Sequence, residues 1–155
     1  MSNITRIGNG QGFWGDSIDA PINLIKHGNL DYLTLDYLAE VTMSIMQRQK
    51  LKNPDSGYAR DFVEMIESSI DLIKEKNVKI ISNAGGVNPK SCSNQLIQIA
   101  NKTGHKLKIG FIEGDDIFNS LEELNAKGVS FENLETGESF EKIRDLVTSA
   151  NVYIS

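Results

Sequence analysis

The chain has 155 residues, 39% of them hydrophobic, and its 16 Lys and Arg against 21 Asp and Glu give a formal net charge of −5. This size suits one domain over residues 1–155, and the acidic balance without a basic run argues against nucleic acid as a partner. No apolar run approaches the roughly 18 residues of a membrane span, and no signal-peptide pattern opens the chain. The single Cys92 allows no internal disulfide, so a cytoplasmic protein is expected.

The first element is a predicted short strand, Ile4 to Gly8, which leads into a glycine-rich loop from Gly8 to Gly15. Four glycines in eight residues disfavour a strand interior or a stable helix. A helix should begin near Pro21 and stop at Gly28. The glycine spacing differs from the G-x-G-x-x-G dinucleotide fingerprint, so a nucleotide cofactor is not expected. Candidate ligand-binding residues in the loop are Gly10, Gly12 and Asp16.

The second predicted strand, Asp31 to Asp36, passes into a helix from Leu38 to Lys50. Asp36 and Glu40 lie at this junction and are candidate catalytic carboxylates. The alternative is that both acids complement the helix dipole and cap free N–H groups.

A turn over Lys52 to Gly57 should precede a long helix from about Tyr58 to Lys76. Its apolar residues recur at steps of four, four and three, which indicates one stripe facing the sheet. The opposite face, which includes Asp61, is expected to be solvated. The stripe consists of Phe62, Ile66, Ile70 and Ile73.

The middle of the chain, Val78 to Ser91, reads as a buried strand, a glycine turn and a helix start. Asn88 followed by Pro89 is a favourable N-cap with proline in the first helical turn, and the helix should reach Lys102. Backbone N–H groups at such a junction can bind small anions or polar ligands, although glycines also simply close tight turns. We expect this turn to line a pocket, with Asn83, Gly85, Gly86 and Asn88 as candidate ligand-binding residues.

The fourth predicted strand, Leu107 to Glu113, ends in the acidic loop Gly114-Asp115-Asp116. One acid should cap a helix over Ile117 to Lys127, which leaves the others for catalysis or for a divalent cation such as Mg²⁺. Glu113 and Asp115 are the catalytic candidates, and Glu113, Asp115 and Asp116 are the candidate metal ligands. A last helix near Phe140 to Ser149 and a fifth strand over Ala150 to Ser155 complete the prediction.

Strands that alternate with helices predict an α/β domain with three layers and a mainly parallel sheet of about five strands. A partial β/α barrel is the alternative. Ligands bind at the carboxyl ends of the strands in both architectures, so the candidate residues should converge there. In particular, Glu113 or Asp115 should face Asp36 or Glu40.

Several segments together resemble the N-terminal region of the acyclic terpene utilisation (AtuA) family. They include Gly12-Phe-Trp-Gly-Asp16, Asn53-Pro-Asp-Ser-Gly-Tyr58, Asn83-Ala-Gly-Gly-Val-Asn-Pro89, Glu113-Gly-Asp-Asp116 and Ser149-Ala-Asn-Val-Tyr153. The resemblance spans nearly the whole chain, although members of that family are longer. It implies a part in the catabolism of acyclic terpenes, whose intermediates are carried as coenzyme A thioesters.

Two functional hypotheses follow. One is an enzyme that acts on a small acyl or carboxylate substrate, with acyl-CoA as a candidate ligand. The other is a non-catalytic ligand-binding or assembly module, which would act as a homo-oligomer or with a partner chain that supplies the region absent here. The sequence does not identify a reaction or a particular cofactor.

Overall fold

The computed structural model describes residues 4–152. They fall into two compact units, one ending at Phe111 and the other beginning at Ile112. The expectation of one domain stays a prediction, because compactness does not decide whether two units fold independently. The first unit contains β1 (Ile7–Gln11), α1 (Asp19–His27), β2 (Tyr32–Leu35), α2 (Glu40–Lys52), α3 (Arg60–Lys76), β3 (Lys79–Ser82) and α4 (Pro89–Lys102). The second contains α5 (Leu121–Ala126) and α6 (Phe140–Ile143), with short 3-10 helices at Phe118–Ser120 and Arg144–Leu146.

The sheet of the first unit is parallel and has the order β1-β2-β3. The α/β class and the parallel sheet are therefore confirmed, but within residues 4–152 the sheet has three strands, not about five. The predicted fourth strand, Leu107 to Glu113, is irregular chain. At the predicted fifth strand, Asn151 forms only an isolated antiparallel bridge with Asp116, and residues 153–155 lie outside the described part.

The segment predicted as the fourth strand packs two of its apolar side chains on the core, but its backbone does not pair with a strand of residues 4–152. Ile109 packs against the main core cluster and Leu107 against a smaller cluster around Ile70 and Ile99. Alternating apolar residues can thus bury their side chains while the backbone remains unpaired with a neighbouring strand. A paired strand and an unpaired extended segment show the same alternation of apolar and polar residues, so the sequence pattern alone does not distinguish them.

The core of the first unit lies on one face of the sheet. Leu33 and Leu35 of β2 are buried there in one cluster with residues from all four helices, for example Ile25 and Phe62. Right-handed crossovers to successive neighbouring strands place their helices on the same face, which accounts for this arrangement. On the opposite face Ile7 and Ile81 are 65% and 58% exposed, so the expected cover of helices on both faces is not found there. The partial-barrel alternative shares such a one-sided arrangement and stays a prediction.

The first strand differs from its prediction because it runs through two glycines. It covers Ile7–Gln11, and its register with β2 shifts between Asn9 and Gln11, which leaves Gly10 as an extra residue. A Cβ at Gly10 would lie 2.9 Å from Pro21 Cβ and 3.0 Å from Leu33 Cδ1. Glycine is required because α1 packs closely on the strand, and the bulge brings Gln11 opposite the buried Leu35.

The long helix α3 confirms the predicted stripe, since Phe62, Ile66, Ile70 and Ile73 are all buried. It ends at Asn77, whose left-handed backbone (φ 52°) closes the helix before β3. Among the described residues, no helix combines the length and the apolar content needed to cross a membrane.

Candidate functional site

Hydrogen bonds join the carboxyl ends of the three strands. The Asp36 backbone N–H donates to the Gln11 carbonyl at 3.1 Å, which links β2 to β1. Asn83, just after β3, donates from Nδ2 to Asp36 Oδ1 at 2.7 Å and accepts at Oδ1 from the Tyr37 backbone N–H at 2.7 Å. The structure therefore brings the predicted residues Asp36 and Asn83 together at this edge.

Asp36 is a carboxylate of this edge that is held by two hydrogen-bond donors. Its side chain is exposed, and Oδ1 accepts from the Leu38 N–H at 3.2 Å as well as from Asn83. Two donors on one oxygen fix the plane of the carboxylate. The second oxygen is then presented in one orientation to whatever approaches from solvent.

The glycine loop after β1 is held by Asp16. The Gly12 N–H donates to Asp16 Oδ2 at 3.3 Å, and Asp16 Oδ1 accepts from the Ser17 N–H at 2.8 Å. No atom lies within 4 Å of the position that a Gly12 Cβ would take, so the surface above this residue is open. Gly10, predicted to bind ligand from the same loop, is instead buried within β1 beneath Pro21.

The Asn88 side chain makes all of its hydrogen bonds within the protein. It caps α4 by accepting from the Ser91 N–H at 3.3 Å, as predicted, and its Nδ2 donates to the Pro54 and Ser56 carbonyls at 2.7 and 2.8 Å. This side chain thereby fastens the loop before α3 to the start of α4. All of these bonds are internal, which leaves its amide N–H groups without spare capacity for a ligand.

The glycine turn and Glu40 also have structural roles. Gly86 has φ 54°, and a Cβ there would overlap Met46 Sδ and lie 2.8 Å from the Gly57 carbonyl. A Cβ at Gly85 would lie 2.8 Å from Pro89 Cβ. A side chain at Gly86 would therefore disturb the packing of the turn against α2. Glu40 is exposed in the first turn of α2, where a carboxylate complements the helix dipole.

The acids in the loop of the second unit make separate contacts. Asp116 Oδ1 accepts from the Phe118 N–H at 3.0 Å at the start of a 3-10 helix, and Asp115 Oδ2 accepts from Asn151 Nδ2 at 2.8 Å. Glu113 is exposed. Across residues 4–152, no three His, Cys, Asp or Glu side chains are grouped to hold a metal ion, and the cation at these acids stays a prediction. The expected approach of Glu113 or Asp115 to Asp36 or Glu40 involves both units and stays a prediction.

Two buried polar side chains lie at the carboxyl ends of β1 and β2, and sequence reasoning missed both. Gln11 is 2% exposed and Tyr37 is fully buried. Gln11 Nε2 donates to the Phe13 carbonyl at 3.2 Å, but Gln11 Oε1 and the Tyr37 hydroxyl have no hydrogen-bond partner within the described part of the chain. The available signal was their position, since each is a polar residue at or just beyond the carboxyl end of a strand.

The surroundings of Tyr37 keep its hydroxyl neutral. Burial raises its pKa well above the ordinary value, and the nearby Asp61 charge raises it further. The Gln11 amide is close enough to lower that pKa somewhat, although no hydrogen bond of acceptable geometry joins the two side chains. Asp61 itself accepts from Trp14 Nε1 at 3.0 Å and is half-buried, so its predicted place on a solvated helix face is wrong.

A cleft of about 330 Å³ lies where the loop before α3 meets the helix. Ala59, which precedes α3, donates its N–H to the Ala84 carbonyl at 2.9 Å, which ties the loop before α3 to the turn after β3. Arg60 donates to Ser56 Oγ at 3.1 Å and forms no ion pair with a carboxylate of residues 4–152. The lining residues are Asn53, Asp55, Ser56, Tyr58, Arg60, Val63, Glu64 and Gln95.

The fold and this edge define an α/β protein with a polar, internally hydrogen-bonded surface at the carboxyl ends of three parallel strands. The model of the acyclic terpene utilisation family protein AtuA matches residues 5–155. The chain therefore belongs to the AtuA family, and the resemblance found from its motifs is confirmed. No curated protein and no solved structure matches the chain.

Proposed function

We propose that this protein acts in the breakdown of acyclic terpenes or related acyl-CoA compounds, and that its strand edge binds a small acyl or carboxylate substrate. Membership in the AtuA family supports the metabolic setting. The observation that carries the site is Asp36, an exposed carboxylate whose orientation is fixed by Asn83 and the Leu38 N–H.

The proposed role of Asp36 is to accept a proton from a substrate bound at the edge. A fixed carboxylate suits this role because a general base must be held within hydrogen-bond reach of the proton that it removes. The hydrogens beside an acyl carbonyl are the chemically reasonable target, since the carbonyl stabilises the charge left behind. Arg60, free of carboxylate partners within residues 4–152, would bind a substrate carboxylate in the cleft at the start of α3.

The test compares the two aspartates that lie next to the ends of β2. Asp36→Asn keeps an oxygen that can accept from Asn83 but removes the charge. Asp31→Asn is the matched control, because Asp31 is also exposed and lies at the opposite end of the strand, where it accepts from the Arg6 N–H at 2.7 Å. Melting temperatures are measured with butyryl-CoA, butyrate, Mg²⁺ and Mn²⁺, because a ligand that binds the native state raises the melting temperature.

We expect butyryl-CoA or butyrate to stabilise the parent and Asp31→Asn more than Asp36→Asn. At a ligand concentration of about 100 times Kd the expected gain is roughly 2.7 kcal/mol. The site proposal is refuted if neither compound stabilises the parent, or if Asp36→Asn responds as the parent does.

A non-catalytic ligand-binding module is the second candidate. It is favoured by the glycine loop after β1, where the surface above Gly12 is open. Solvent deuterium separates the two candidates. An enzyme that removes a proton beside the carbonyl should exchange deuterium into butyryl-CoA. A binding module should be stabilised by butyryl-CoA without exchanging its hydrogens.

A further inference from the structure

Gln11 Oε1 and the Tyr37 hydroxyl are buried polar atoms without a partner in residues 4–152. Native structures pair the large majority of buried polar side-chain atoms, and an exception commonly marks a bound water or ligand. Here two exceptions occur on neighbouring side chains, because Gln11 lies opposite Leu35 in the sheet register and Tyr37 follows two residues later, buried in the same core cluster as Leu35. Their proximity points to one shared partner.

The orientation of the Gln11 amide determines what such a partner must provide. Nε2 donates to the Phe13 carbonyl at 3.2 Å, which identifies the nitrogen end of the amide and leaves Oε1 as the unpaired acceptor. Tyr37 offers a hydroxyl, which can donate and accept. A partner that satisfies both the Gln11 acceptor and the Tyr37 O–H donor must therefore donate one hydrogen bond to Gln11 and accept one from Tyr37.

The surroundings of the pair disfavour an anion. Asp61 lies close enough to disfavour a negative charge on Tyr37, and burial disfavours any net charge. A positive group such as an ammonium could not accept from Tyr37. A hydroxyl group satisfies both atoms without charge.

We propose that Gln11 Oε1 and the Tyr37 hydroxyl together bind the O–H group of a neutral molecule at the carboxyl end of β1. Water and an alcohol share this chemistry. The inference goes beyond the proposed function, because the two atoms need a partner whether or not a substrate binds at Asp36.

A crystal structure of the dialysed protein tests the proposal directly. We expect an oxygen within about 3 Å of both atoms. An isolated peak identifies water, whereas density that continues into carbon atoms identifies a retained alcohol; either result supports the site. A direct hydrogen bond between Gln11 and Tyr37 with no peak between them overturns it, as does a bound carboxylate or ammonium compound.

A double-mutant cycle provides the test in solution. Tyr37→Phe and Gln11→Met each remove one partner of the bridging group with little change in shape, so their effects on the unfolding equilibrium constant should be non-additive by roughly two-fold or more. Tyr58→Phe is the matched control, because Tyr58 is also buried but its hydroxyl is not among the unpaired atoms. Additive effects of Tyr37→Phe and Gln11→Met overturn the proposal, and so does equal coupling of Gln11→Met with Tyr58→Phe.

Discussion

Gly86→Ala should be among the most destabilising single-methyl changes in the first unit. The residue has φ 54°, and a Cβ there would overlap Met46 Sδ and lie 2.8 Å from the Gly57 carbonyl. The left-handed backbone costs an alanine about 1–2 kcal/mol. Met46 is fully buried and the Gly57 carbonyl is backbone, so relieving the contact should cost roughly 1–3 kcal/mol more. The expected loss of unfolding free energy is thus about 2–5 kcal/mol.

Two other glycines separate the contributions. Gly104 has φ 75° with no atom within 4 Å of its Cβ position, so Gly104→Ala should lose only the backbone part, about 1–2 kcal/mol. Gly12 has open space and no such backbone conformation, so Gly12→Ala should change stability by less than about 1 kcal/mol. All three replacements reduce the freedom of the unfolded chain similarly, and that effect cancels in the comparison.

Urea unfolding followed by circular dichroism measures all three variants under one condition, with equal slopes as evidence that the unfolded states are comparable. The expected order of loss is Gly86, then Gly104, then Gly12. If Gly86→Ala loses no more than Gly104→Ala, the close packing of the turn against α2 and the Gly57 backbone is refuted.

Three further predictions concern α4 and the buried tyrosine. Asn88→Ala should lose about 2–3 kcal/mol in urea unfolding, because the cap and two loop bonds disappear, whereas the exposed Asn94→Ala should change little; equal losses would contradict the clamp. Burial raises the pKa of Cys92 to about 12, so iodoacetamide at pH 8 should label it only after unfolding, and rapid native labelling would refute its burial. Burial raises the pKa values of Cys92 and Tyr37 in the folded state, so the unfolded chain loses these protons at lower pH. The free energy of unfolding should therefore fall as the pH rises above about 9. Between pH 9 and 12 the fall should be less steep for Cys92→Ala. A flat profile in the parent would contradict this.

Features that depend on local sequence could be predicted. The stripe of α3 follows from helical periodicity, and the start of α4 follows from Asn88 and Pro89, whose preferences act within one turn. The signals that specify these two features lie within a few residues along the chain, although distant contacts such as those of Asn88 with Pro54 and Ser56 then stabilise them. Nothing distant is needed to choose the structure.

Features that depend on distant partners could not be predicted in the same way. Glycine is needed at position 10 of the strand only because Pro21 packs on it, and Leu107, in irregular chain, is partly buried against α3 and α4 without strand pairing. The candidate site shows the same division. Asp36 was found as an acid at a strand end, but its fixed orientation depends on Asn83, 47 residues away. Gln11 was missed because its burial depends on the register of β1.

That register makes β1 sensitive to chain length as well as to residue type. With regular pairing after Asn9, Gly10 would lie opposite Leu35 and Gln11 would turn toward the exposed face, away from Tyr37. Only the extra residue at Gly10 keeps Gln11 opposite Leu35. A slip of one residue before Gln11 would therefore move an amide from the interior to solvent, whereas an insertion within the exposed part of the loop around Gly12 would leave that amide in place.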